Sequence, residues 1–170
     1  MTRKHLVWLI LALPAVPLAL SSYGYALSRT GILSAVLILV TLAAPYLRRV
    51  LPGAMCHRRA IGVAGFGYAA LHLAIYLSRK WEEALPAALG PDLLTGWGAF
   101  AVFAALALTS TNRAVRAMGP RWRRLHRFTW PASALVAAHW WLTAFDPVPA
   151  IAFTAALGVL LALRVRRSYR

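Results

Sequence analysis

His72 and His139 stand inside long apolar stretches, where an ionisable side chain is costly to place and is by default a functional candidate. Each lies eleven residues beyond the basic end of its stretch, at Ile61 and Phe128, which at 1.5 Å per helical residue is about 16 Å. Both are therefore expected near the middle of a bilayer, on helices that run the same way. Two imidazoles at one level can ligate an iron from opposite faces of a flat macrocycle, so haem is the first chemistry the pair suggests. The competing reading is a proton-relay or packing pair in a cofactor-free transporter or scaffold bundle. Gly62, Gly65 and Ala69 precede His72 at helical spacing, with Tyr76 one turn beyond. Such small residues suit a groove for a macrocycle and equally suit close contact between membrane helices.

His126 lies thirteen residues before His139, a helical rise of about 20 Å, which is compatible with a second, stacked haem. At 100° per residue the two side chains would point about 140° apart, so His126 belongs to an entry turn or a bend near Pro131 must re-aim it. The matching level before His72 is held by Arg58 and Arg59, which leaves His57, Met55, Met118 or a cofactor as partners for His126. His5 and His57 lie in basic segments, where a solvated role is expected. Cys56 is the only cysteine, which excludes a disulfide framework and a cysteine-rich zinc site. Gly53 stands where C-x-x-C-H attachment needs its first cysteine, so any haem is held by axial coordination. Gly65-Phe66-Gly67-Tyr68-Ala69-Ala70 fits a G-x-G-x-x-A dinucleotide pattern, but it lies mid-span without a preceding strand.

These histidines must be positioned by membrane helices. The chain has 170 residues, 61% of them hydrophobic and 14% charged, which is outside the range of an ordinary soluble domain. Six uncharged stretches, at 6–27, 30–47, 60–78, 93–112, 128–145 and 147–163, are each long enough to cross a hydrocarbon core of about 30 Å. A single transmembrane domain over 1–170 is expected. Of 19 Lys and Arg, only Arg29, Arg79 and Lys80 fall on the same side as the four acids Glu82, Glu83, Asp92 and Asp146. The positive-inside rule then places both termini in the cytoplasm. The net charge of +15 does not indicate nucleic acid, because the basic residues bound apolar runs and do not line one soluble face. The start, Arg3-Lys4-His5 followed by an apolar run and Gly24-Tyr25-Ala26, imitates a secretory signal, and the first span is expected to be retained. Tyr23, Tyr25, Tyr76, Trp81 and Trp97 are expected at the outer boundary, and Trp122 and Trp130 at the inner one. Pro14, Pro17 and Pro131 are expected to kink their spans.

The chain carries Arg58-Arg59 followed by Gly62, Leu71-His72 with Tyr76, Leu108-Thr109-Ser110-Thr111, and Gly119-Pro120-Arg121-Trp122-Arg123-Arg124-Leu125-His126-Arg127 followed by His139. Together these residues resemble the MsrQ (YedZ) family, within the ferric-reductase-like transmembrane superfamily. The similarity runs from about Gly31 to Phe145, and the W-R-R-L-H string with a histidine thirteen residues later is its specific part. The resemblance implies an all-α, six-helix b-haem bundle in the bacterial inner membrane. Such a protein takes electrons from a quinol or a cytoplasmic flavin reductase and passes them to a periplasmic molybdopterin subunit, MsrP, which reduces oxidised methionines. It implies His72 and His139 as axial ligands of the haem iron, His126 as a further candidate, and one or two haem b. It also implies FMN at the cytoplasmic side, with the family's paired arginines at Arg58 and Arg59, whose charge suits a phosphate. The same arginines serve as topology anchors on the plainer reading. Thr129-Trp130-Pro131 departs from the aliphatic or tyrosine-rich helix start of the family, which bears on the geometry at His126. No segment between or beside the spans has the length of a nicotinamide or FAD domain, so donor and acceptor are expected to be separate molecules. A stand-alone ferric or quinone reductase is the other haem-based reading.

Overall fold

The structure, a computed structural model, describes residues 3–50, 52–87, 89–143 and 146–168; among them there are ten helices and no strand. Its contacts divide the chain into two units, Met1–Ala87 and Ala88–Arg170. Each is built on one antiparallel helix pair.

In the first unit the pair is α3 (Tyr23–Leu47) and α5 (Arg58–Ala87), joined through the short α4 (Pro52–Cys56). α5 bends at Lys80 (φ −121°, ψ 20°), where its apolar part ends and the acidic segment begins. Contacts between α3 and α5 are close because one partner is small. A Cβ on Gly65 would sit 3.3 Å from Leu37 Cβ, and one on Gly62 would sit 3.5 Å from Thr41 Cγ2. Leu42, Ile38 and Ala35 are buried along the same face. Gly62 and Gly65 thus serve helix contact, as glycines do where membrane helices approach.

The predicted span over 6–27 is not one helix. It is broken into α1 (Arg3–Ala12) and α2 (Ala15–Ala19), and α3 already begins at Tyr23, seven residues before the predicted start at Thr30. The cause is local. Pro14 and Pro17 cannot donate to the preceding turn, and extended Ser22 (ψ 152°) ends the segment while Ser21 Oγ donates to Leu18 O at 2.8 Å. Tyr68 Oη donates to Leu11 O at 2.8 Å, tying α1 to α5.

In the second unit the pair is α6 (Pro91–Leu108) and α9 (Thr129–Thr143), with α10 (Pro147–Ser168) against α9. α6 starts as its sequence dictates, with Pro91 at the first position and Asp92 in the first turn. Asp146 Oδ1 accepts from Val148 N at 3.0 Å and caps α10. Pro131 is the third residue of α9, in the first turn where no donor is required, so it does not kink the helix as expected. Between α6 and α9 the basic segment folds into α7 (Asn112–Met118) and α8 (Pro120–His126). Thr111 caps α7 by accepting from Ala114 N, and Gly119 turns the chain at φ +52°, a conformation that favours glycine.

Among the described residues four helices are long and apolar enough to cross a membrane: Tyr23–Leu47, Arg58–Lys80, Pro91–Leu108 and Pro147–Arg167. The other two predicted crossings correspond to shorter elements, the apolar segment His5–Leu18 and the 15-residue α9. The side chains of Arg3, Lys4, Trp81 and Glu83, together with Phe145 and Arg170, lie outside the described residues.

Candidate metal-ligand site

His72 lies on the α3-facing side of α5, and its Nδ1–H donates to the carbonyl oxygen of Leu27 at 2.9 Å. A carbonyl only accepts, so the bond places the ring proton on Nδ1 and makes Nε2 the nitrogen with the lone pair. Four residues after Leu27 the ring passes over Gly31, where a Cβ would lie 3.2 Å from Nδ1 and 3.3 Å from Cε1. The hydroxyl of Thr30, fully buried, donates to Ala26 O at 2.8 Å and to Leu27 O at 3.0 Å.

The second unit repeats this arrangement. His139 Nδ1–H donates to the carbonyl oxygen of Asp92 at 2.7 Å. Four residues after Asp92 the ring lies over Gly96, where a Cβ would fall 2.9 Å from both Nδ1 and Cε1. The Thr95 hydroxyl donates to Asp92 O at 2.8 Å and to Pro91 O at 3.0 Å. In each unit, then, a carbonyl at position i, a threonine at i+3 and a glycine at i+4 on one helix receive a histidine from the antiparallel neighbour.

Both imidazoles fit a haem ligand. An outer hydrogen bond from Nδ1 to a carbonyl fixes the tautomer, holds the ring plane and raises the basicity of Nε2, which is how metal-bound histidines are commonly supported. Among the described residues no group of three or more His, Cys, Asp or Glu gathers to cage an ion. A single imidazole per unit therefore suits a metal that brings its own equatorial ligands. His72 lies fourteen residues after Arg58 and eight before the bend at Lys80, and His139 lies ten after Thr129 and four before Thr143. Each ring meets the N-terminal part of its partner helix, at Leu27 and Gly31 of α3 and at Asp92 and Gly96 of α6.

His126 is held by its other nitrogen. Thr109 Oγ1 is hydrogen-bonded to Nε2 of His126 at 3.2 Å and its hydroxyl also donates to Ala105 O at 2.7 Å. Trp122 stacks on the ring at 3.9 Å and donates Nε1–H to Thr109 O at 2.9 Å. This cluster fastens α8 to the end of α6. Arg58 and Arg59 diverge: Arg58 Nε donates to Thr41 O at 2.8 Å, whereas Arg59 is exposed. Met55 is exposed and His57 and Met118 are half-buried.

Thr30-Gly31 and Thr95-Gly96 are not singled out by hydropathy or charge, although they are the only two Thr-Gly dipeptides in the chain and so carry a signal of their own.

Comparison with known proteins agrees with this architecture. Residues 25–137 match the family described as ferric reductase like transmembrane component. The protein-methionine-sulfoxide reductase heme-binding subunit MsrQ of Xanthomonas axonopodis pv. citri is 34% identical over 145 residues, covering 81% of this chain and 66% of the relative. The subunit of the same name from Bordetella pertussis is 34% identical over 153 residues, covering 83% of this chain and 73% of the relative. Magnetosome protein MamZ of Magnetospirillum gryphiswaldense is 40% identical over 94 residues, 52% of this chain and 14% of that protein. The chain thus spans just under two thirds of the length of the Xanthomonas relative. No solved structure matches it significantly. With the family match running from α3 into α9 and MsrQ relatives at 34% identity over most of this chain, the chain belongs to the ferric-reductase-like transmembrane family and, within it, to the MsrQ group.

Proposed function

We propose that this chain is a membrane cytochrome subunit in which His72 and His139 are the axial ligands of a b-type haem. It carries single electrons from a quinol or a cytoplasmic flavin reductase to a periplasmic molybdopterin reductase of the MsrP kind, which acts on oxidised methionines. The observation that carries this reading is one imidazole geometry occurring in both units, Nδ1–H on a helix carbonyl and the ring over a glycine. When bound, the haem iron takes up and releases one electron at a time. The chain's residues orient the two imidazoles, fix their tautomers and surround them with apolar helices. His126, the last residue of α8, stacked on Trp122 and hydrogen-bonded to Thr109, is the further candidate for iron ligation. FMN is assigned to the basic end of α5, where exposed Arg59 is available to a phosphate and Arg58 is partly engaged with Thr41.

The reading is tested spectroscopically. Purified from membranes with haem available, the protein should show a Soret band and a dithionite-induced α band. Reconstituted with its periplasmic partner and a quinol, it should support reduction of that partner. Absence of both bands would overturn the haem assignment, while haem without electron transfer to the partner would favour a stand-alone reductase.

The four long helices, with α1–α2 and α9, are read as six crossings of the inner membrane in one domain over 1–170, both termini cytoplasmic. The distribution of charge supports that orientation. Cys56 makes it testable without mutation, because it is the sole cysteine and is exposed in α4. A membrane-impermeant maleimide should leave Cys56 unlabelled in intact spheroplasts and label it after lysis; labelling before lysis would invert the topology.

A further inference from the structure

We propose that Thr30 and Thr95 are positioning residues that set the redox potential of the haem by competing with the imidazoles for the same two carbonyl oxygens. The inference rests on the haem reading above and goes beyond it, since neither threonine reaches the ligand itself. Leu27 O accepts the His72 Nδ1–H at 2.9 Å and the Thr30 hydroxyl at 3.0 Å. Asp92 O accepts the His139 Nδ1–H at 2.7 Å and the Thr95 hydroxyl at 2.8 Å. An α-helix also directs the N–H of the residue four positions on, here Gly31 and Gly96, at each of these oxygens. Three donors thus converge on an atom with two lone pairs.

The electronic consequence has a definite sign. A carbonyl that is polarised by a hydroxyl is a weaker acceptor for the imidazole N–H, so the imidazole keeps less imidazolate character and is a poorer donor to ferric iron. Removing the hydroxyl strengthens the ring's hydrogen bond, raises ligand basicity and favours the oxidised iron. The potential should fall. The two threonines are not equivalent. The Thr30 hydroxyl oxygen lies nearer Ala26 O, at 2.8 Å, than Leu27 O, at 3.0 Å, whereas the Thr95 hydroxyl oxygen lies nearer Asp92 O, at 2.8 Å, than Pro91 O, at 3.0 Å. Thr95 therefore polarises the shared carbonyl more than Thr30 does.

Thr→Val removes the hydroxyl and keeps the β-branched shape. In a reductive titration of the purified holoprotein, Thr95→Val should shift the midpoint potential downward with haem content unchanged. Thr30→Val should give a smaller shift of the same sign, and Thr95→Ser should return the wild-type value. A purely structural role for the hydroxyl would lower haem content without this ordered shift. An unchanged or raised potential in a haem-loaded Thr95→Val protein overturns the proposal while leaving the haem reading intact. A wild-type protein that binds no haem overturns both. Should Thr95→Val not retain haem, Thr95→Ala deletes the same hydroxyl and must lower the potential, or the proposal fails.

Discussion

Haem should be lost from both His72→Ala and His139→Ala, with the Soret absorbance per protein falling by at least about tenfold in each. The magnitude follows from comparing shells. Removing an outer partner of a metal ligand typically costs about 10–100-fold in metal affinity, and removing the ligand itself should cost more. Alanine is a strong helix former, and the α3–α5 contact does not depend on His72, because Gly65 on Leu37 and Gly62 on Thr41 hold the pair together. The carbonyls of Leu27 and Asp92 would each lose one of three donors and stay satisfied by the threonine hydroxyl and the helix N–H, so the lost bond costs little stability. Loss of haem without loss of the folded, membrane-inserted chain is thus the expected phenotype. Glycine in place of either histidine leaves space for a free imidazole, and adding imidazole to those variants should restore a low-spin spectrum. His126→Ala is the contrasting case. Its ring is hydrogen-bonded through Nε2 to Thr109 and stacks on Trp122, so its removal should leave the haem held by His72 and His139 in place. Full haem retention in either His72→Ala or His139→Ala would remove that residue from the ligand set.

The parts of this fold that are legible from sequence are those written in hydropathy. Long uncharged runs identify α3, α5, α6 and α10, because a helix of such composition must bury its backbone polar groups in its own hydrogen bonds. The same count overlooks the division of the first run, although Pro14 and Pro17 carry that information in their missing donors. It also treats Arg113 to Arg127 as a charged segment, while Thr111, Gly119 and Pro120 are ready signals for two short helices. His72 and His139 stand out since few other polar groups interrupt their runs. Their supports do not, because every residue has a carbonyl and nothing in a side chain marks Leu27 or Asp92 as the acceptor. Only the recurrence of Thr-Gly betrays the position, and a dipeptide gains meaning once a ring is seen lying over the glycine. Gly62 and Gly65 show the converse, since small residues at helical spacing look alike whether they face a cofactor or another helix.

Gly96→Ala should weaken haem binding about 10–100-fold, and more than Gly31→Ala does. The new methyl at position 96 would stand 2.9 Å from Nδ1 and Cε1 of His139, closer than such contacts occur, so ring or helix must move. Overpacking of this kind costs about 1–3 kcal/mol, the same range as a 10–100-fold change in affinity at 1.4 kcal/mol per decade. The displaced atom is the one that donates to Asp92 O at 2.7 Å, so the strain falls directly on the bond that orients the ligand. At position 31 the methyl would lie 3.2 Å from His72 Nδ1, a contact that a shift of a few tenths of an ångström relieves. Two glycines serve as controls. A methyl added at Gly67, on the same helix as His72, or at Gly24, near the start of α3, would meet nothing within 4 Å. Alanine at either should leave haem content unchanged and, by restricting the unfolded chain, add about 0.5–1 kcal/mol of helix stability. Haem titrations of the four alanine variants in detergent would establish the order. Equal affinities for Gly96→Ala and Gly67→Ala would mean that the close approach of His139 to α6 does not position the ligand.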